Sequence, residues 1–144
     1  MYEAFFGFTS RPFAPSPHPD HWVPVESQER ALTRICSCLL EGRGIAVLSG
    51  EGGLGKTLLS KTMPSRLGEE FVVVLLTTGN FHTRRALLQS ILFEMGLPYV
   101  GLSEEEARLQ LFEAAEELSH EKRGVALLID EAHFKSNFFN ATNF

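Results

Sequence analysis

The sequence predicts an α/β domain built on a parallel sheet, and three observations carry that prediction. Helical apolar faces alternate along the chain with short apolar runs. Two of those runs, "FVVVLLTT" and "VALLID", are continuous, as in strands covered by helices on both faces. A glycine-rich octapeptide, "GEGGLGKT", stands directly between a third apolar run and a helical pattern.

The elements follow in order. Residues 1–25 interleave Phe5, Phe6, Phe8, Phe13 and Trp22 with Pro12, Pro15, Pro17, Pro19 and Pro24. Proline lacks the N–H that helix interiors and ladders use, so an extended strap draped over the domain is expected. Over residues 27–41, Ala31, Leu32, Ile35, Cys36, Leu39 and Leu40 form one helical face, and Gly42 ends it. "GIAVLSG" reads as a short buried strand. A helix then starts near Gly55 and runs through Leu58 and Leu59 to Pro64. There a missing N–H and a ring clash, costing about 3 kcal/mol, are expected to break or kink it. After the "FVVVLLTT" strand, Thr83 caps a helix through Ala86, Leu87, Ile91 and Met95 that Gly96 and Pro98 stop. Ser103 and Glu106 form a capping box for the next helix, with Ala107, Leu111, Ala114, Ala115 and Leu118 inward. Lys122 and Arg123 sit near its negative end, Gly124 closes it, and "VALLID" is the third strand.

Bulk properties bound the function. A chain of 144 residues suits one domain, which at that size buries about two-thirds of its unfolded surface. The net charge of −5 argues against a broad nucleic-acid face, which needs clustered Lys and Arg, so DNA contact lacks support from charge. Cys36 and Cys38, two apart on a helix, point to nearly opposite sides, cannot bridge each other and read as buried thiols. The start has no signal-peptide pattern, and no apolar run approaches the roughly 18 residues of a membrane helix. A cytoplasmic protein without membrane insertion is therefore expected.

The octapeptide fits G-x-x-x-x-G-K-[ST] over residues 50–57, which makes Gly50, Glu51, Gly52, Gly53, Leu54, Gly55, Lys56 and Thr57 the candidate cofactor-binding loop. The glycines reach backbone angles closed to other residues, so successive N–H groups can turn inward around phosphate oxygens. The following helix points its positive end at the same place. Lys56 adds a full charge toward the β and γ phosphates, and the Thr57 hydroxyl can replace one water on Mg²⁺. The "VALLID" strand can deliver Asp130 to the sheet's C-terminal edge as the second metal-site residue. Glu131 is then the candidate catalytic base for an attacking water, beside the charge of Lys56. The letters "DEAH" do not make a helicase, and His18 and His21 lack partners at metal-ligand spacing.

Taken in order, "FFGF", "RPF", "PSPHPDHW", "ERAL", "GEGGLGKT" and "LLIDEAH" make residues 1–133 resemble the AAA+ ATPases of the general secretion pathway protein A (ExeA-like) type. The N-terminal strap makes the likeness specific. The resemblance implies a three-layer P-loop NTPase fold, ATP as the nucleotide, and the roles above for Lys56, Thr57, Asp130 and Glu131. It also implies adenine held between the strap near Val23 and Pro24 and the core, and homo-oligomeric rings or arcs in which an arginine from the neighbouring subunit completes each site; a partner protein on the aromatic strap is the other expectation. DNA-transposition ATPases share this half, so the biological process stays open.

After His133 the pattern is lost in "FKSNFFNATNF". Such proteins continue with a fourth strand between the strand carrying the phosphate loop and the one carrying Asp130, then a fifth strand and a helical lid. An incomplete fold is therefore expected, divided into a strap and helix (1–43), a partial ATPase core (44–133) and a non-family tail (134–144). The expected function is ATP binding with Mg²⁺-dependent hydrolysis, provided the missing elements are supplied or dispensable. The alternatives are a truncated remnant, or a nucleotide-binding interaction module without turnover.

Overall fold

A computed structural model of the chain describes residues 2–8, 18–23, 25–79 and 81–132. Its centre is a parallel pair of strands, β1 (Phe71–Leu76) and β2 (Gly124–Ile129), in register from Phe71 opposite Gly124 to Leu76 opposite Ile129. Around them lie α1 (Tyr2–Phe6), α2 (Glu26–Leu40), α3 (Lys56–Leu67), α4 (Arg84–Glu94) and α5 (Glu104–His120).

Successive strand residues face opposite ways, and the two cores follow that alternation. On one face Ala126 joins Leu32 and Cys36 of α2 and Leu59, Met63 and Leu67 of α3, with Val73 and Leu128 packed against them. On the other, Val74 and Leu76 join Ile91 of α4, with Leu111 of α5 and Ile129 at the margin. Helices on both faces of a parallel sheet make the three layers of an incomplete P-loop NTPase fold. The Arg66 guanidinium reaches Glu29 at 2.6 Å and ties α3 to α2.

Local chemistry sets the helix ends. Thr83 accepts from the Ala86 amide, and Ser103 and Glu106 form the reciprocal capping box that starts α5. At the C-termini of α2 and α4, Gly42 and Gly96 take positive φ, and paired backbone bonds close the last turns. The same closure ends α5, but Lys122 holds the left-handed position, at φ 60°. Lys122 N–H donates to Ser119 and Arg123 N–H to Leu118. The helix thus ends before Gly124, which opens β2 instead of closing α5.

Several expectations are corrected. Residues 44–50 form no strand: Ile45 and Val47 are 89% and 85% exposed, and only Leu48 reaches the core. A strand needs a partner for its N–H and C=O groups, and no described strand lies beside this segment. Val125 and Leu127 of β2 are exposed as well. Pro64 does not break α3, which continues to Leu67. Leu59, Met63 and Leu67, spaced by four, are all buried, and at roughly 1.5–3 kcal/mol each their burial outweighs a proline cost of about 3 kcal/mol.

The strap is not uniformly extended or draped. Tyr2–Phe6 is helical and Pro19–His21 forms a 3₁₀ turn. Trp22 packs on the first core, whereas Phe5, Phe6 and Phe8 are exposed, Phe6 meeting Phe5 edge to face and Phe8 at a tilt. Ala115 is exposed on α5 instead of inward, while Ala107 is fully buried. Arg11, Pro12, Phe13, Pro15, Pro17, Pro24, His133 and residues 134–144 lie outside the described residues. Among the described residues, no helix is long and apolar enough to cross a membrane.

Candidate functional site

The loop over residues 50–57 owes its shape to backbone freedom. Gly53 and Gly55 adopt φ of 82° and 81°, in the left-handed region that side chains avoid. Gly55 is also the N-cap of α3; its carbonyl accepts the first helical bond, from Leu59 N–H. No side chain caps this end, so the opening amides of α3 keep their donors and the positive end of the helix is uncovered. Lys56 reaches back along the loop, its Nζ donating to the carbonyls of Gly50 at 3.0 Å and Glu51 at 2.9 Å. The one full positive charge of the loop is therefore drawn over its mouth.

Further along α3, Ser60 and Thr62 bond back to the carbonyls of Lys56 and Leu58, four residues earlier. Thr57 stands in the first turn, where the corresponding carbonyl belongs to the loop and not to the helix. Among the described residues, nothing engages its hydroxyl.

Topology brings the second half of the site to the same edge. The C-terminus of α3 joins the start of β1 through the short 3₁₀ turn Gly68–Glu70. The 12-residue helix and the six-residue strand are of similar length, about 18–20 Å, so the helix start lies at the C-terminal edge of β1. Parallel pairing puts the end of β2, and hence Asp130, at that edge too. Asp130 N–H extends the ladder to the Leu76 carbonyl at 2.8 Å, while Asp130 Oδ1 accepts from Glu131 N–H at 3.0 Å. The chain turns sharply there, with Glu131 at φ 54° and its side chain exposed.

Two contributors escaped the sequence reading. Gly79, after β1, is buried against the turn that follows β2: a Cβ on it would stand 3.0 Å from the Glu131 carbonyl oxygen and 3.1 Å from Ala132 Cα. A glycine just past a strand hints at such an approach, but not at its target. Gln28, in the first turn of α2, donates from Nε2 to the Leu54 carbonyl at 2.9 Å. The two residues are 26 apart and no local pattern links them.

The start of α3, with Lys56 and Thr57, and the end of β2, with Asp130 and Glu131, thus lie toward the same edge of the sheet. Val23, expected near a base, is exposed. Cys36 faces the first core from α2, where burial pushes its thiol above the ordinary range against the pull of Arg66. Both cysteines are free thiols, but only Cys36 is buried as expected, Cys38 being half-buried; among the described residues no cluster of three or more His, Cys, Asp or Glu could hold a metal.

The sequence profile of the family described as "AAA domain" matches residues 39–142. The chain is also similar to general secretion pathway protein A of Aeromonas hydrophila, with 35% identity over 99 residues. That alignment covers 69% of this chain and 18% of the relative, so the chain spans about a fifth of the relative's length. No solved structure matches. With a phosphate-loop architecture at the head of α3 and a profile match over most of its length, the chain belongs to the AAA family of P-loop ATPases.

Proposed function

We propose that the chain binds ATP with Mg²⁺ through residues 50–57 and carries the groups that hydrolyse it. The observation that carries this reading is the loop itself: left-handed glycines leading into an uncapped helix start, with Lys56 drawn across the mouth. Such a loop has no evident use other than to receive an anion with several oxygens. In the proposed reaction Lys56 leaves the Gly50 and Glu51 carbonyls for phosphate oxygens, and Glu131 orients and deprotonates the attacking water. Thr57 and Asp130 would hold the ion. One hydroxyl and one carboxylate suit Mg²⁺, which keeps most of its waters and takes few protein ligands. When bound, the ion supplies charge neutralisation at the phosphate oxygens.

The division into strap and helix, ATPase core and tail belongs to the same proposal. So does assembly with further copies or a partner protein that completes the site, and a cytoplasmic setting, which suits the two free thiols. The relative's name points to a secretion pathway as the process to test first.

A second reading, binding without turnover, is favoured by the bare segment at residues 44–50, which enters the loop without strand pairing and reaches the core only at Leu48. Titrating the full chain with ATP and Mg²⁺ while monitoring both binding and phosphate release separates the two. Lys56→Ala should abolish binding, and Glu131→Gln should retain binding but stop release. Unchanged ATP affinity in Lys56→Ala would sink both readings, whereas wild-type binding without phosphate release leaves only the second.

A further inference from the structure

Gln28 touches the phosphate loop at a point where the peptide plane itself has two choices. Its Nε2 holds the Leu54 carbonyl at 2.9 Å, and the next residue, Gly55, sits at φ 81° and ψ 21° with space for a Cβ only 3.1 Å from the same nitrogen. In a trans peptide the C=O and the following N–H point in opposite directions. Fixing the Leu54 carbonyl toward α2 therefore turns the Gly55 N–H away from α2. A glycine on the far side of that peptide tolerates the flipped plane almost as well, because both signs of φ are open to it. The flipped plane would present a carbonyl oxygen where an anion needs a donor.

We propose that Gln28 is a positioning residue of the nucleotide site: its carboxamide locks the Leu54 to Gly55 peptide so that the Gly55 N–H joins the opening amides of α3 as a phosphate donor. This rests on the ATP-binding reading and adds to it a residue from outside the loop. It also couples α2 to the loop, since any shift of the first turn of α2 releases the peptide. Glu26 opens α2 without a side-chain cap from Val25, and the Arg66 to Glu29 pair fixes this turn against α3. The turn of α2 that carries the clamp is thus also tied to α3.

The test titrates inorganic pyrophosphate and Mg²⁺-ATP into the full chain and into Gln28→Met and Gln28→Glu, following the Gly55 amide resonance and the unliganded melting temperature. Gln28→Met removes the donor at similar size and should weaken both ligands about three- to tenfold, the worth of one net hydrogen bond. Gln28→Glu, which sets a carboxylate against the Leu54 carbonyl, should weaken them further. In both variants the Gly55 amide should lose its response to pyrophosphate while the melting temperature stays within a few degrees. Wild-type binding that Gln28→Met leaves unchanged overturns this proposal alone, as does weaker binding with the Gly55 response intact. If Gln28→Met does not fold, Gln28→Glu is read by the same criteria. A wild-type chain that binds neither ligand overturns the ATP-binding reading, and this proposal falls with it.

Discussion

Gly79→Ala tests how the two turns at the sheet edge hold each other. The backbone of Gly79 is outside the left-handed region, so alanine fits its angles, and on entropy alone the substitution should stabilise by about 0.4–1 kcal/mol. Against that, the new Cβ would stand 3.0 Å from the Glu131 carbonyl oxygen and 3.1 Å from Ala132 Cα, so close that these neighbours must give by a few tenths of an ångström. Both neighbours are backbone, in a turn already held at φ 54°, so they yield less readily than a side chain tip. Overpacking of this kind costs about 1–3 kcal/mol. The net expectation is destabilisation by about 0.5–2 kcal/mol. For a chain of 144 residues this lowers the melting temperature by about 2–7 °C. Differential scanning calorimetry on the full chain reads it directly. A second readout is phosphate release, which should fall more than ATP affinity, because the displaced turn carries Glu131 and not the loop. A raised melting temperature in Gly79→Ala would refute the reasoning, since the entropic gain would then have met no clash.

The remaining expectations concern the scaffold. Lys122→Gly should stabilise by roughly 0.5–1 kcal/mol in chemical denaturation, because it relieves a left-handed side chain costing about 1–2 kcal/mol against glycine's greater unfolded freedom. Gly124→Ala should destabilise by about 1–3 kcal/mol, since its Cβ would lie 2.6 Å from Phe71 Cε1, and Phe71→Leu in the double variant should recover part of the loss. Hydrogen bonds from Ser103 hold the Glu106 carboxyl below its ordinary range. A depressed folded value means that the capping contribution is present above the unfolded value near 4.3 and lost as pH falls through the folded one. Helicity of α5 followed by circular dichroism should therefore decline on acidification, and Glu106→Gln should flatten that dependence.

What was legible in the sequence is what is decided within a few residues. The Thr83 cap, the Ser103 and Glu106 box and the glycine stops after α2 and α4 are satisfied by neighbouring backbone, so pattern and outcome agree. The loop over residues 50–57 was legible for the same reason, its glycines and Lys56 being consecutive. The break expected at Pro64 does not occur because the local cost leaves out the burial of Leu59, Met63 and Leu67. Ala115 was misplaced because periodicity names a face but not its width. Lys122 took a glycine's place because the paired bonds of the α5 terminus hold the turn whatever side chain occupies it.

By itself the sequence determined the alternation of helices and apolar runs, the glycine-rich turn into α3, and the carboxylates Asp130 and Glu131 after a strand. These follow from backbone propensity and from charge carried on adjacent residues. Only the tertiary structure decided that "GIAVLSG" stays unpaired, that Gly79 braces the Glu131 turn, and that Gln28 grips the loop from α2. Each of these depends on which distant backbone lies alongside: a strand exists only where its hydrogen bonds find a partner, and a close contact only where two chain segments meet.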